Sequence, residues 1–270
     1  MMQRLLVAAE ISVRRLMKSR LLWIAVIGSL MVMGIFMTAI VSMVKMLASG
    51  EAVPGGMVVH VVGTVLSILS ALATLVAVFV GVSVIRRDME EGTLTSVLSK
   101  PVSRGEYIAA SYAGAAIYLL MMWALFALVL TLFAAAFKTA LGGPVYLAVL
   151  GDYLLCVMAM AVALFFSIRV HPWVAVLLTF VVLRGRSSVE GIASLLGALG
   201  ARPPDAVVNV LTFPFPMPGA LDDLGERLSQ GALVDRSMAA GFAHVIDYGL
   251  VMALLAYFVF RTVEINRARD

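Results

Sequence analysis

The sequence predicts an all-α polytopic membrane protein. It has six transmembrane helices and an N-terminal amphipathic interfacial helix. A short cytoplasmic helix lies between spans two and three, and a short re-entrant or interfacial helix between spans five and six. Three observations predict this. Hydrophobic residues make up 62% of the 270 and charged residues only 13%, against roughly 25% charged in a soluble domain. Uncharged runs recur at the length needed to cross a bilayer, about 20 residues. Basic residues collect in the short segments between alternate runs.

Residues 1–20 read as a helix lying on the membrane. Met2, Leu5, Leu6, Ala9, Val13, Leu16 and Met17 share one arc at 100° per residue, opposite Gln3, Arg4, Glu10, Arg14, Arg15 and Lys18. A basic face against an apolar one suits the headgroup boundary. The first apolar run is longer than the core of a signal peptide, so no cleaved leader is expected. Span one covers 21–44 and span two 61–85. Within span two, Gly63, Ser67 and Ala71 recur every four residues, as do Ala73, Ala77 and Gly81. Such stripes let helices approach closely in lipid.

Segment 86–106 is polar. Span three covers 107–137, and Gly142-Gly143-Pro144 makes a turn. Span four covers 145–168 with Asp152 near its start, where water is expected to reach it. His171-Pro172 breaks the chain before span five. One straight helix here would carry Arg184 and Arg186 to depth, at about 2.5–3.5 kcal/mol each on insertion scales. The expectation is therefore a fifth span over 172–184 that stops at Gly185, with Gly185 taking an unusual backbone angle. Val189–Leu199 then folds back as a short amphipathic helix within an external loop, 185–237. That loop is rich in proline: Pro203, Pro204, Pro214, Pro216 and Pro218. Span six covers 238–260, with His244 and Asp247 in its first third.

Charge sets the orientation. With both termini inside, the inner segments hold Arg4, Arg14, Arg15, Lys18, Arg20, Arg86, Arg87, Lys100, Arg104, Arg169, Arg261, Arg267 and Arg269. The outer ones hold only Lys45, Lys138, Arg184, Arg186, Arg202, Arg227 and Arg236. The bias favours six spans, N-in and C-in. A net charge of +4 is modest and does not argue for nucleic acid. The single cysteine, Cys156, precludes an intrachain disulfide, and no Cys/His metal spacing exists. His60, His171 and His244 are scattered. No G-x-x-x-x-G-K-[ST], G-x-S-x-G, H-E-x-x-H or G-x-G-x-x-G occurs, so the chain carries no P-loop for ATP and no familiar catalytic motif.

The sharpest signal is the loop Arg86–Arg104. Asp88 and Glu91 have the spacing of an N-cap and its N3 partner. Leu94, Val97 and Leu98 fall on one face, and Pro101 stops the helix. The result is a short amphipathic helix able to seat its apolar face in a partner's groove. The string E-E-G-T-L-T-S-V-L-S-K-P-V-S-R strongly resembles the loop after the second membrane helix of ABC-2 type transporter permeases. The resemblance extends over most of the chain, and is nearest to permeases of this length with a separately encoded ATPase, including the NosY type.

That resemblance implies a function. The chain would be the permease subunit of an ABC transporter, coupling ATP hydrolysis by a partner to substrate export across the bacterial cytoplasmic (inner) membrane. Glu91, Gly92, Thr93, Pro101 and Arg104 match the family motif. They would form the ATPase-coupling loop with Arg87, Glu90, Leu94 and Leu98. The chain would hold no cofactor and have no enzymatic activity of its own; ATP and Mg would sit in an ABC ATPase dimer. A second permease chain, identical in a homodimer, would complete the complex. Asp152, Arg184, Arg186 and Asp247 are candidates for the pathway or its gate, since ionisable residues within spans default to function. The alternative is a force-transmitting subunit of such a complex. It would act on an extracytoplasmic partner protein through the Pro-rich loop, without moving a substrate.

Overall fold

The computed structural model describes Ile27, Gly28, Met31, Gly34, Ile35 and Thr38, and residues 55–90, 104–136, 143–199, 203–217, 221 and 236–262. The interfacial helix at 1–20, most of span one, and loop residues 91–103 lie outside these. Among the described residues the chain is all-helical, without strands. The elements are α1 (Gly55–Glu90), α2 (Arg104–Ala136), α3 (Gly143–Ser167), α4 (Pro172–Ala198), α5 (Asp205–Thr212) and α6 (Arg236–Thr262). Five of them, all but the short α5, are long and apolar enough to cross a membrane.

The long helices alternate in direction. The end of α1, the start of α2, the α3–α4 turn and the end of α6 meet at one end of the bundle. There Arg86 Nη1 donates to the Val170 carbonyl at 2.6 Å. Arg169 Nη2 reaches the Thr262 hydroxyl at 3.4 Å, and Tyr107 stacks on Phe260. At the far end, the Thr131 and Tyr146 hydroxyls lie 3.2 Å apart.

α3 is the central helix and packs against α1, α2, α4 and α6. Its residues from Met158 to Leu164 are buried without a break. A helix that is apolar and covered all round belongs at the centre of a bundle. The tightest approach is to α1. A Cβ added at Gly81 would lie 2.5 Å from the Met160 carbonyl oxygen and 2.9 Å from Ala163 Cβ. Ala73 and Ala77 are fully buried on the same interface. This small-residue stripe therefore packs within the chain. In the other stripe Gly63 is buried, while Ser67 and Ala71 are exposed.

Two expectations are corrected. Asp88 does not cap a new helix, because α1 continues through Glu90. Nor does the fifth span stop at Gly185: α4 runs unbroken from Pro172 through Ala198 and takes in Val189–Leu196. The reason is the relative size of two penalties. A glycine inside a helix costs about 1 kcal/mol. Breaking a helix at depth strands backbone groups that lipid cannot satisfy, at several kcal/mol each. The arginine penalty is met in part locally, since Arg186 Nε pairs with Glu190 Oε1 at 2.8 Å one turn on. A short helix does lie between α4 and α6, but it is α5 at 205–212.

Gly81→Leu should prevent the α1–α3 approach and lower the thermal midpoint of the detergent-solubilised protein. Overpacking of this kind costs roughly 1–3 kcal/mol or more. Gly249→Ala is the paired case, since its Cβ would meet nothing nearer than Met158 Cα at 3.4 Å. Its midpoint should stay level or rise slightly.

Candidate functional site

Two regions carry the polar chemistry. The first is the Arg86 end. The 91–103 loop leaves α1 after Glu90 and returns at Arg104, so both its ends belong here. Among the loop candidates, Arg87 and Glu90 fall in the last turn of α1 and Arg104 opens α2. Glu91, Gly92, Thr93, Leu94, Leu98 and Pro101 lie outside the described residues. Arg86 ties the end of α1 to the turn that joins α3 to α4. Gly105 brings the start of α2 against α6, where an added Cβ would lie 2.5 Å from the Tyr257 ring.

The second region is a polar band toward the other end. Ser70 Oγ donates to Asp152 Oδ1 at 2.9 Å. One turn along both helices, Thr74 Oγ1 and Cys156 Sγ lie 3.9 Å apart. The Tyr112 hydroxyl donates to the Val157 carbonyl at 3.2 Å and the Tyr153 hydroxyl to the Ala116 carbonyl at 3.4 Å. Trp123 is buried in the same core, with its indole N–H toward the Cys156 thiol. Asp152 is only 8% exposed, against the expectation of water contact near a helix end. α3 begins at Gly143, so Asp152 sits about 13 Å inside it, on the side facing α1.

The remaining candidates do not gather around it. Arg184 and Asp247 are exposed and Arg186 is half-buried. Each has its own surroundings, and none of the four is bonded to another. The structure adds a contact that sequence reasoning missed. Gly185 is buried because the Phe215 ring fills the space a Cβ would take. Beside it, the Tyr248 hydroxyl donates to the Pro214 carbonyl at 3.1 Å. The non-helical stretch after α5 thus packs onto both α4 and α6. Gly185 serves a close approach, not a break.

Depth follows from helix rise. Counted from the Arg86 end, Arg184 lies about 18 Å along α4 and Asp247 about 22 Å along α6. A hydrocarbon core is about 30 Å thick. An exposed cation, an exposed carboxylate and irregular backbone therefore share a level that plain lipid does not accommodate.

A bundle of apolar helices that each span a bilayer, with buried polar pairs and a charged rim, defines a polytopic membrane protein. Its family follows from the sequence: a model of the ABC-2 family transporter protein matches residues 6–180. The chain belongs to that family. It is a membrane permease of the ABC-transporter class, and family membership implies association with an ABC ATPase. Comparison with curated proteins returned no significant match.

Ser70 and Thr74 were legible in principle, as hydroxyls spaced i, i+4 in an apolar span, matching Asp152 and Cys156 at the same spacing. Phe215 had no such signal. Gly185→Leu should drive the Phe215 ring away and lower the thermal midpoint. Phe215→Ala in the same chain should recover part of the loss, with a coupling of roughly 0.5–3 kcal/mol. Strict additivity in a double-mutant cycle would contradict the contact.

Proposed function

We propose that this chain is the transmembrane subunit of an exporter, in the bacterial cytoplasmic membrane, driven by a separately encoded ATPase as in the NosY type. Two copies pair with an ATPase dimer that holds ATP and Mg; this chain holds neither and catalyses nothing. Both termini and the 91–103 loop lie inside. The observation that carries the reading is the convergence, at one end of the bundle, of the two helix ends that flank residues 91–103 with Arg86 and the α3–α4 turn.

The mechanism follows from stiffness. α1 is one helix of 36 residues, so a push on its loop moves its whole length. Arg86 passes that motion to the α3–α4 turn, and α3 touches every other long helix. Closure of the ATPase dimer therefore reaches α4 without a flexible intermediate. About halfway along α4 and α6, the Phe215 and Pro214 contacts hold the 213–217 segment between the two helices, at the level of Arg184. Irregular backbone at such a level is stable where protein covers it or water reaches it. This supports an outer vestibule walled in part by α4. The exposed faces of spans one and two and of α4 are the surfaces offered to a second copy, with Ser67 and Ala71 permitting close approach.

Orientation is checked by labelling. Ser229→Cys should react with a membrane-impermeant thiol reagent in intact cells; reaction only after permeabilisation would reverse the topology. Coupling is checked in the loop. Glu91→Arg and Leu94→Asp should each either abolish co-purification of the ATPase or leave ATP hydrolysis running while export stops. Full export in both variants would show the loop to be passive.

A further inference from the structure

We propose that Arg184 is an anion-binding residue of the pathway, meeting the phosphate or carboxylate of a substrate or lipid headgroup on the exposed face of α4. The proposal rests on α4 being a pathway wall. Trp173, Leu177, Val181, Ile192 and Leu195 are all exposed on α4, and their spacing forms one stripe along it. Arg184 and Ser188, both exposed, interrupt that stripe. A cation and a hydroxyl one turn apart thus occupy an otherwise apolar surface, at a depth where charge needs water or a counter-ion.

Nothing in the described part of α4 neutralises it. Arg184 has no ion-pair partner among the described residues. Its neighbour Arg186 shows what internal neutralisation looks like here, with Glu190 placed four residues on. The residue four on from Arg184 is the uncharged Ser188. Ser187 Oγ bonds only to the Arg184 backbone carbonyl, at 2.9 Å. Rotation of α4 is no remedy, because Phe215 packed at Gly185 fixes which face looks outward. Among the described residues no carboxylate on this side pairs with Arg184, Asp205 on α5 included. Asp152 is bonded to Ser70, Glu190 is taken by Arg186, and Asp247 is exposed on α6 without contact to Arg184.

A guanidinium left open in this way matches one ligand chemistry. Its planar fork accepts two oxygens of a carboxylate or phosphate at once, and the Ser188 hydroxyl lies one turn away to donate a further bond. The cargo class is therefore an anion whose remainder can slide along the Trp173–Val181 stripe.

The test uses the full chain with its ATPase in phosphatidylcholine nanodiscs. Two probes are titrated separately: phosphatidylglycerol in the bilayer and pyrophosphate in solution, with bound probe per chain read by native mass spectrometry. Arg184→Gln should weaken one of them by about tenfold, as loss of a charge-assisted bond implies. Arg184→Lys, which keeps the charge but loses the fork, should bind between the parent and Arg184→Gln, and Arg261→Gln, an exposed arginine at the other end, should change neither. An effect on phosphatidylglycerol alone assigns the site to a lipid headgroup, and one on pyrophosphate alone to a soluble anion. If Arg184→Gln binds both probes like the parent, the proposal is wrong. It is equally wrong if Arg184→Asp breaks the permease pair and Asp247→Arg restores it, because Arg184 then pairs with a second copy. The pathway reading fails separately: Ser188→Cys would then stay unreactive to impermeant thiol reagents with and without ATP.

Discussion

The crossing of α1 and α3 is the contact on which the rest of the bundle depends. At Gly81 the two backbones come so close that no side chain fits between them. In lipid there is no hydrophobic drive to press helices together, so close packing and buried polar pairs must do it. Here both are present on one interface. Ser70 with Asp152 and Thr74 with Cys156 share the same sequence offset of 82. A slip of either helix by one turn would unmake both pairs at once; in one direction Thr74 would replace Ser70 at Asp152, and in the other Leu66 would face the carboxyl. The crossing thus sets register as well as distance, and α3 acquires its place at the centre from it.

What lipid demands of the backbone explains where sequence reading succeeded and where it failed. Apolar runs and charge bias made the long helices legible, because span length and the cost of burying charge are properties of composition. The fifth span was misread because two costs compete there. Counting Arg184 and Arg186 as naked charges made a break look favourable. The structure answers with Glu190 one turn from Arg186, and continuity of hydrogen bonds then outweighs the glycine. Asp88 misled in the same way, since a residue type that favours caps is also tolerated in a helix that already has momentum from its apolar spans.

The polar site was legible only in halves. Asp152 stood out as a carboxylate in an apolar run, but its partner Ser70 is one of many hydroxyls in span two. The Ala73, Ala77 and Gly81 stripe announced a close contact without saying with what. A small-residue stripe looks the same whether its mate is a helix of the same chain or a second copy, and only the fold decides. Phe215 was invisible for a deeper reason. It belongs to a Pro-rich stretch with no periodicity, and its role exists only because Gly185 leaves a hollow on another helix.

These features divide the molecule into a stiff part and a responsive part. α1, α2 and α3 bury their faces on one another and share the polar band, so they move as a unit. α6 packs closely on α3, while α4 touches the unit less than α6 does, and both keep broad exposed faces. Each is tied at one end by the Arg86, Arg169 and Thr262 bonds and again near its middle by the 213–217 segment, at Gly185 and Tyr248. A helix held at one end and near its middle can swing its far half without unfolding. Such a movement changes what its outer half faces, and on α4 that half begins at Arg184. Force applied where the loop joins α1 would therefore be felt, in the proposed mechanism, as a change in the exposure of one cation about 18 Å away.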